Sequence, residues 1–145
     1  PDNEMDTVSN LEITKSIESI IKKFKPKKIF THSPFDINID HRLIYQATIT
    51  ATRPNSKTNV KEVYSFEIPS STEWHFPTSF QANIFENISK ELPSKLKAMK
   101  MYKSEIQEFP HPRSLEALEA IAKRWGSVSG FHAAEAFCLI RQLKD

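Results

Sequence analysis

The sequence predicts an α/β fold, and three observations carry that expectation. A short apolar run at Lys28–Thr31 ends in a polar loop, and a helix-like pattern resumes directly after it. A second alternating stretch, Val60–Ile68, follows that helix, and a strand, helix, strand order implies a right-handed crossover with parallel strands. The carboxyl ends of both strands then share one edge of the sheet, where open α/β folds place their ligand sites. The loop that falls there is crowded with His32, Asp36, Asn38, Asp40 and His41.

A chain of 145 residues is long enough to bury a real core, and one domain over residues 1–145 is expected. Hydrophobic residues at 39% and charged residues at 26% are ordinary for a globular protein. No apolar run approaches the roughly 18 residues of a membrane span. The net charge of +2 gives no strong field for nucleic acid or an anionic membrane. The single cysteine, Cys138, excludes an internal disulfide, suits a reducing, cytoplasmic compartment, and reads as a buried inert thiol. The chain opens on Pro1 rather than Met, and Pro1-Asp-Asn-Glu-Met-Asp6 reads like the middle of a loop, so a fragment is expected.

Taken in order, Asn10 is placed to cap a helix whose apolar positions Leu11, Ile13, Ile17, Ile20, Ile21 and Phe24 fall mainly on one face, and Pro26 ends it. The lysines at 22, 23, 25, 27 and 28 complement the dipole of that helix end. Ile29 and Phe30 of the first strand are expected in the core. A second helix, Ile39–Thr52, turns Leu43, Ile44, Ala47 and Ala51 inward and closes at Arg53-Pro54, ahead of a polar linker over Asn55–Asn59. Val63, Tyr64 and Phe66 are the apolar members of the second strand. Asn83–Ile88 is a third strand, and Ser89 a cap for a helix running to about Lys103 with Leu92, Leu96, Met99 and Tyr102 inward. Prolines on both sides stiffen the loop around His111. Ser114 caps a helix through Lys123, Gly126 and Gly130 bracket a turn, and Ala133–Ile140 fits either a strand or a helix.

The polar loop begins like a calcium loop at Asp36-Ile-Asn-Ile-Asp40, but its sixth position is His41 where glycine is needed and its twelfth is Ala47 where glutamate is needed, which excludes calcium. One of Asp36, Asn38 and Asp40 is expected to cap the following helix. Capping leaves unexplained a histidine directly after Asp40. Imidazole suits zinc-like ions, and a neighbouring carboxylate orients it. His41 is the principal candidate ligand and His32 the lesser one. A catalytic zinc takes three protein ligands, so others must lie elsewhere.

Several motifs occur together: Asp36-Ile-Asn-Ile-Asp-His-Arg42, Ala51-Thr-Arg-Pro54, Glu67-Ile-Pro-Ser-Ser-Thr-Glu-Trp74, Phe109-Pro-His-Pro-Arg-Ser114, Ala134-Glu-Ala-Phe137 and the opening six residues. With them the chain resembles the LmbE/PIG-L family of zinc-dependent deacetylases. The resemblance implies a Rossmann-like, mostly parallel sheet flanked by helices, and removal of acetyl groups from N-acetylglucosamine-type sugars in carbohydrate metabolism. It makes His41 a zinc ligand and Asp40 the acidic residue supporting it. It places Asn38 where many members carry a histidine that stabilises the transition state. An amide there can donate a hydrogen bond to an oxyanion but cannot carry a proton or positive charge. The family's first motif, an Ala-His-Pro-Asp-Asp-type turn with two zinc ligands and the general base, has no counterpart here. It would precede Pro1, so this chain alone is expected to bind zinc weakly and to be inactive.

The mechanism so implied is a zinc-activated water attacking an acetamide, in an N-acetylated sugar or glycoconjugate. Arg53, Trp74, His111 and Arg113 are candidate substrate contacts, Trp74 by stacking on a sugar face. A salt bridge for Arg53, core packing for Trp74 and a structural role for His111 are the competing readings. Neither a nucleic-acid partner nor a membrane span is expected, and self-association as a homo-oligomer is compatible with the sequence. The rivals are a non-catalytic truncated member acting as a binding or scaffold protein, and a metal-dependent phosphoester hydrolase. The latter would want more cationic phosphate contacts and a second metal.

Overall fold

The computed structural model describes residues 3–54 and 58–144. Two residues of the opening loop and residues 55–57 of the expected polar linker lie outside the described residues. A one-turn 3-10 helix, Met5–Thr7, precedes α1 (Asn10–Phe24), β1 (Lys28–His32), α2 (Ile39–Ala51), β2 (Glu62–Phe66), β3 (Ile84–Asn87), α3 (Leu92–Met99), α4 (Leu115–Ser129) and β4 (Ala134–Gln142). The strands form one mixed sheet in the order β1-β2-β4-β3, so the α/β expectation holds. The chain divides into two compact units, Pro1–Gln81 with Cys138–Asp145, and Ala82–Phe137.

In the first unit, β1 and β2 are parallel as expected, with Ile29 opposite Val63 and His32 opposite Phe66. The cap of α1 is Ser9, not Asn10: the Ser9 hydroxyl accepts from the Glu12 N–H while Glu12 accepts from the Ser9 N–H, a reciprocal box that a residue one place later cannot close. Lys25, at φ 48°, ends the helix one residue before Pro26. Ile21, Ala51, Val60 and Val63 make the core, with Ile17, Ile29, Ile49 and Ile140 packed against it. Phe30 is not a core residue. β1 stands at an end of the strand order, and the ring of Phe30 is 52% exposed, lying against Tyr64 at 5.1 Å. Leu11 is likewise exposed, at the first turn of α1.

In the second unit, β3 pairs antiparallel with the start of β4, Ile84 opposite Phe137 and Asn87 opposite Ala134. The final run is thus a strand, Ala134–Gln142, and not a helix. Ile88, Ala122 and Ala133 form a small core with Leu92 against it. Ser89 does not cap α3, because its hydroxyl is turned to the Asn87 side chain at 2.6 Å. The helix starts instead after Glu91, with Pro93 in its first turn, and ends at Met99, leaving Tyr102 exposed. Ser114 does cap α4, accepting from the Ala117 N–H at 3.0 Å. That helix continues past Lys123 through Gly126 to Ser129. A Cβ at Gly126 would sit 2.7 Å from the Phe131 carbonyl oxygen and 2.8 Å from Ala133 Cα, so the glycine permits a close backbone approach instead of a turn. The turn belongs to Gly130, at φ 80°.

Candidate functional site

The carboxyl ends of β1 and β2 feed two loops of the first unit, 33–38 and 67–76, and these loops hold each other. The Ile37 N–H donates to the Ser71 carbonyl at 3.3 Å. Arg42 donates from α2 to the carbonyl of Ile37 at 2.9 Å and to that of Asp36, which ties the first loop back onto the helix that follows it. In the second loop Ser70 takes φ 72°, and Glu73 accepts from the N–H groups of Ser70 and Ser71 at 2.7 and 3.1 Å. The Ile68 N–H donates to Thr72 Oγ1 at 2.7 Å.

Both loops converge on Asp36, which is fully buried. One of its oxygens accepts from the Asn38 N–H at 2.8 Å and from the Ser71 hydroxyl. The other accepts from Thr72 Oγ1 at 3.0 Å and faces His41 Nδ1 at 3.1 Å. Burial alone would raise the pKa of this carboxyl. The hydrogen bonds from Ser71, the Asn38 N–H and His41, with the charge of His41, outweigh it and hold the group below its ordinary value.

His41 extends from the first turn of α2, with its side chain mostly buried. The His32 ring lies almost parallel to it, 4.2 Å between centroids at 11°. His32 Nδ1 is buried and has no hydrogen-bond partner among the described residues. Burial first, then the neighbouring His41, depress the pKa of His32 against the opposing pull of Asp36, so this imidazole is neutral near pH 7. An apolar hollow of about 400 Å³ between α1, α2 and β1, lined by Ile17, Ile20, Ile44 and Phe30, also reaches His32.

Of the residues singled out from sequence, Asn38, Asp40 and His41 come together here. Asn38 is the helix cap, its Oδ1 accepting from the Asp40 N–H at 2.8 Å and its Nδ2 donating to Asn3 at 3.3 Å. The carboxylate paired with His41 is that of Asp36; Asp40 instead accepts from the Met5 N–H at 3.0 Å and anchors the opening turn of the chain. Trp74 is 41% exposed, in the same loop as Ser71 and Thr72, so it is not a core residue. Arg53 lies past the far end of α2, 3.9 Å from Glu18. His111 and Arg113 belong to the second unit, where the Arg113 N–H donates to His111 Nδ1 at 3.1 Å and the guanidinium pairs with Glu105. Sequence reading gave Asp36 no role beyond capping and gave Ser71, Thr72 and Arg42 no role of their own. The only signal for Asp36 was its place in the loop, since two of its donors, Ser71 and Thr72, lie 35 and 36 positions away.

Residues 1–52, which include His32, Asp36 and His41, match the PIG-L family, described as GlcNAc-PI de-N-acetylase. None of the curated proteins matches the chain. Among solved structures, it is similar over its whole length to 64% of the conserved protein TT1542 from Thermus thermophilus, at 18% identity and a TM-score of 0.75. Ninety-two per cent of it matches 52% of the N,N'-diacetylchitobiose deacetylase of Pyrococcus horikoshii, at 20% identity and a TM-score of 0.67. Ninety-four per cent matches 61% of GalB, the 4-carboxy-2-hydroxymuconate hydratase of Pseudomonas putida KT2440, at 18% identity and a TM-score of 0.60. The chain thus spans between 52% and 64% of the length of these structures, and at such identities the likeness is one of fold.

The PIG-L likeness raises the question of zinc. His41 has the chemistry of a ligand, with Nδ1 on a carboxylate and Nε2 remaining for an ion. Among the described residues, however, no group of three His, Cys, Asp or Glu side chains is placed to hold a metal. The described residues therefore do not by themselves fit the three-ligand set of a catalytic zinc.

Proposed function

We propose that this chain is part of a deacetylase-type hydrolase of the PIG-L kind, acting on an N-acetylated amino sugar or glycoconjugate of the N-acetylglucosamine type. The observation that carries the reading is the His41–Asp36 pair, 3.1 Å apart at the edge where two parallel strands end, inside the PIG-L segment. In this reading His41 is one zinc ligand and the others come from outside the described residues. Zinc, when bound, supplies an acidified water and a polarised carbonyl. The residues of this chain position and bind. Asp36 holds His41, Asn38 and Asp40 fix the start of α2, and the exposed indole of Trp74 offers a flat face to a sugar ring.

The test uses the full-length protein with N-acetylglucosamine and its glycosides, with acetate release as the readout. Release should stop with a chelator and return with zinc, and His41→Ala should lower it by at least about 100-fold. A second reading, a non-catalytic member of the family serving as a binding or scaffold protein, is favoured by the lack of a three-ligand group among the described residues. It would be supported by sugar binding with no acetate released by the zinc-loaded full-length protein.

A further inference from the structure

An imidazole can present a lone pair to a ligand from only one nitrogen at a time, and the partner of the other nitrogen decides which. At His41 the nearer partner of Nδ1 is Asp36, at 3.1 Å, with the Ser71 hydroxyl a longer contact at 3.5 Å, and the groups around Asp36 fix its role. The Asn38 N–H on its first oxygen can only donate, at 2.8 Å. Thr72 Oγ1, 3.0 Å from its second oxygen, already accepts from the Ile68 N–H, which turns the hydroxyl hydrogen toward Asp36. Ser71 supplies a further donor, and its own N–H is taken by Glu73. The carboxylate is thus surrounded by donors and aimed at Nδ1 by a loop some 35 positions away in the chain.

We propose that Asp36 is the positioning residue of this site, holding His41 in the tautomer with the proton on Nδ1 so that the Nε2 lone pair faces outward. The use of that lone pair rests on the hydrolase reading above; the tautomer does not. Asp40, the neighbour in sequence, has no part in it, because its carboxylate is turned to the Met5 N–H.

The test is the protonation site of His41, read from its side-chain nitrogen resonances in the metal-free, histidine-labelled protein at a pH where the ring is neutral, with His41→Gln to assign the signal. The wild type should carry the proton on Nδ1. Asp36→Asn keeps the shape but not the acceptor. The fixed Asn38 donor holds the amide oxygen on the first side, so the amide nitrogen faces His41 and donates to Nδ1. The proton should then move to Nε2. Asp40→Asn should leave it on Nδ1. The proposal is overturned if the wild-type ring carries its proton on Nε2, or if Asp40→Asn moves the proton and Asp36→Asn does not. The wild-type spectrum decides even if a variant fails to fold. No substrate or metal enters the measurement, so a full-length protein that releases no acetate sinks the hydrolase reading and leaves this one standing.

Discussion

Two loops of this protein hold a histidine against a polar partner, and they do it in opposite ways. Around His111 the bonds are local: its N–H donates to the Glu108 carbonyl at 3.0 Å, its Nδ1 accepts from the Arg113 N–H, and Arg113 pairs with Glu105, all within nine consecutive residues. Around His41 the partner is a buried carboxylate fixed by Ser71 and Thr72 from a different loop. Bonds between such near neighbours shape a turn. Long-range donors gathered on a buried charge have to be built by the whole β1, α2, β2 arrangement, and a fold retains a buried charge at a cost that a turn does not need.

The comparison breaks most sharply by removing the buried carboxylate. Asp36→Ala leaves the Asn38 N–H and the Thr72 hydroxyl without their acceptor and His41 without its partner, and should lower the unfolding free energy by about 3 kcal/mol. His111→Ala removes a ring from a half-buried turn and should cost about 1 kcal/mol or less. Urea denaturation of the two variants measures both. Equal losses would mean that the long-range clamp carries no more than the local turn.

The second unit has a costly position of its own, and there the cause is packing instead of charge. Gly126→Ala would push a methyl group to 2.7 Å from the Phe131 carbonyl, and both atoms it meets first belong to backbone. The expected loss is about 2 kcal/mol, measured the same way, whereas Gly130→Ala meets nothing within 4 Å and suffers only from its positive φ.

What was legible in the sequence follows the same division. The strand, helix, strand order, the parallel pairing and the ends of α2 are set by local pattern and were read from it. His41 was singled out because a histidine after a capping sequence is unusual. Asp36 stayed hidden behind its capping role, since nothing local tells that Ser71 and Thr72 reach it. The exposure of Phe30 was hidden for a related reason: an apolar residue in a strand reads as core unless the strand order is known. Gly126 misled because glycine marks turns more often than it marks a close helix contact.

The smallest expected effect is one of pH, and it separates His32 from the carboxylate beside it. Both groups have pKa values below their ordinary ones in the fold, so in each case the unfolded chain binds protons more readily than the folded chain. Acidification therefore favours unfolding, but in two windows. For His32 the loss begins as pH falls through about 6.5, where an unfolded histidine takes up its proton while the ring stacked on His41 resists charging. For Asp36 it begins only below about 4, where an unfolded aspartate protonates. Denaturation midpoints of the metal-free protein at a series of pH values should fall gently from about pH 7 to 5 and more steeply below about 4. In His32→Gln the first slope should shrink and the second remain, because glutamine has no charge to gain and Asp36 keeps its donors. A first slope unchanged in that variant would place the acid sensitivity on another group and leave the stacked pair as packing alone.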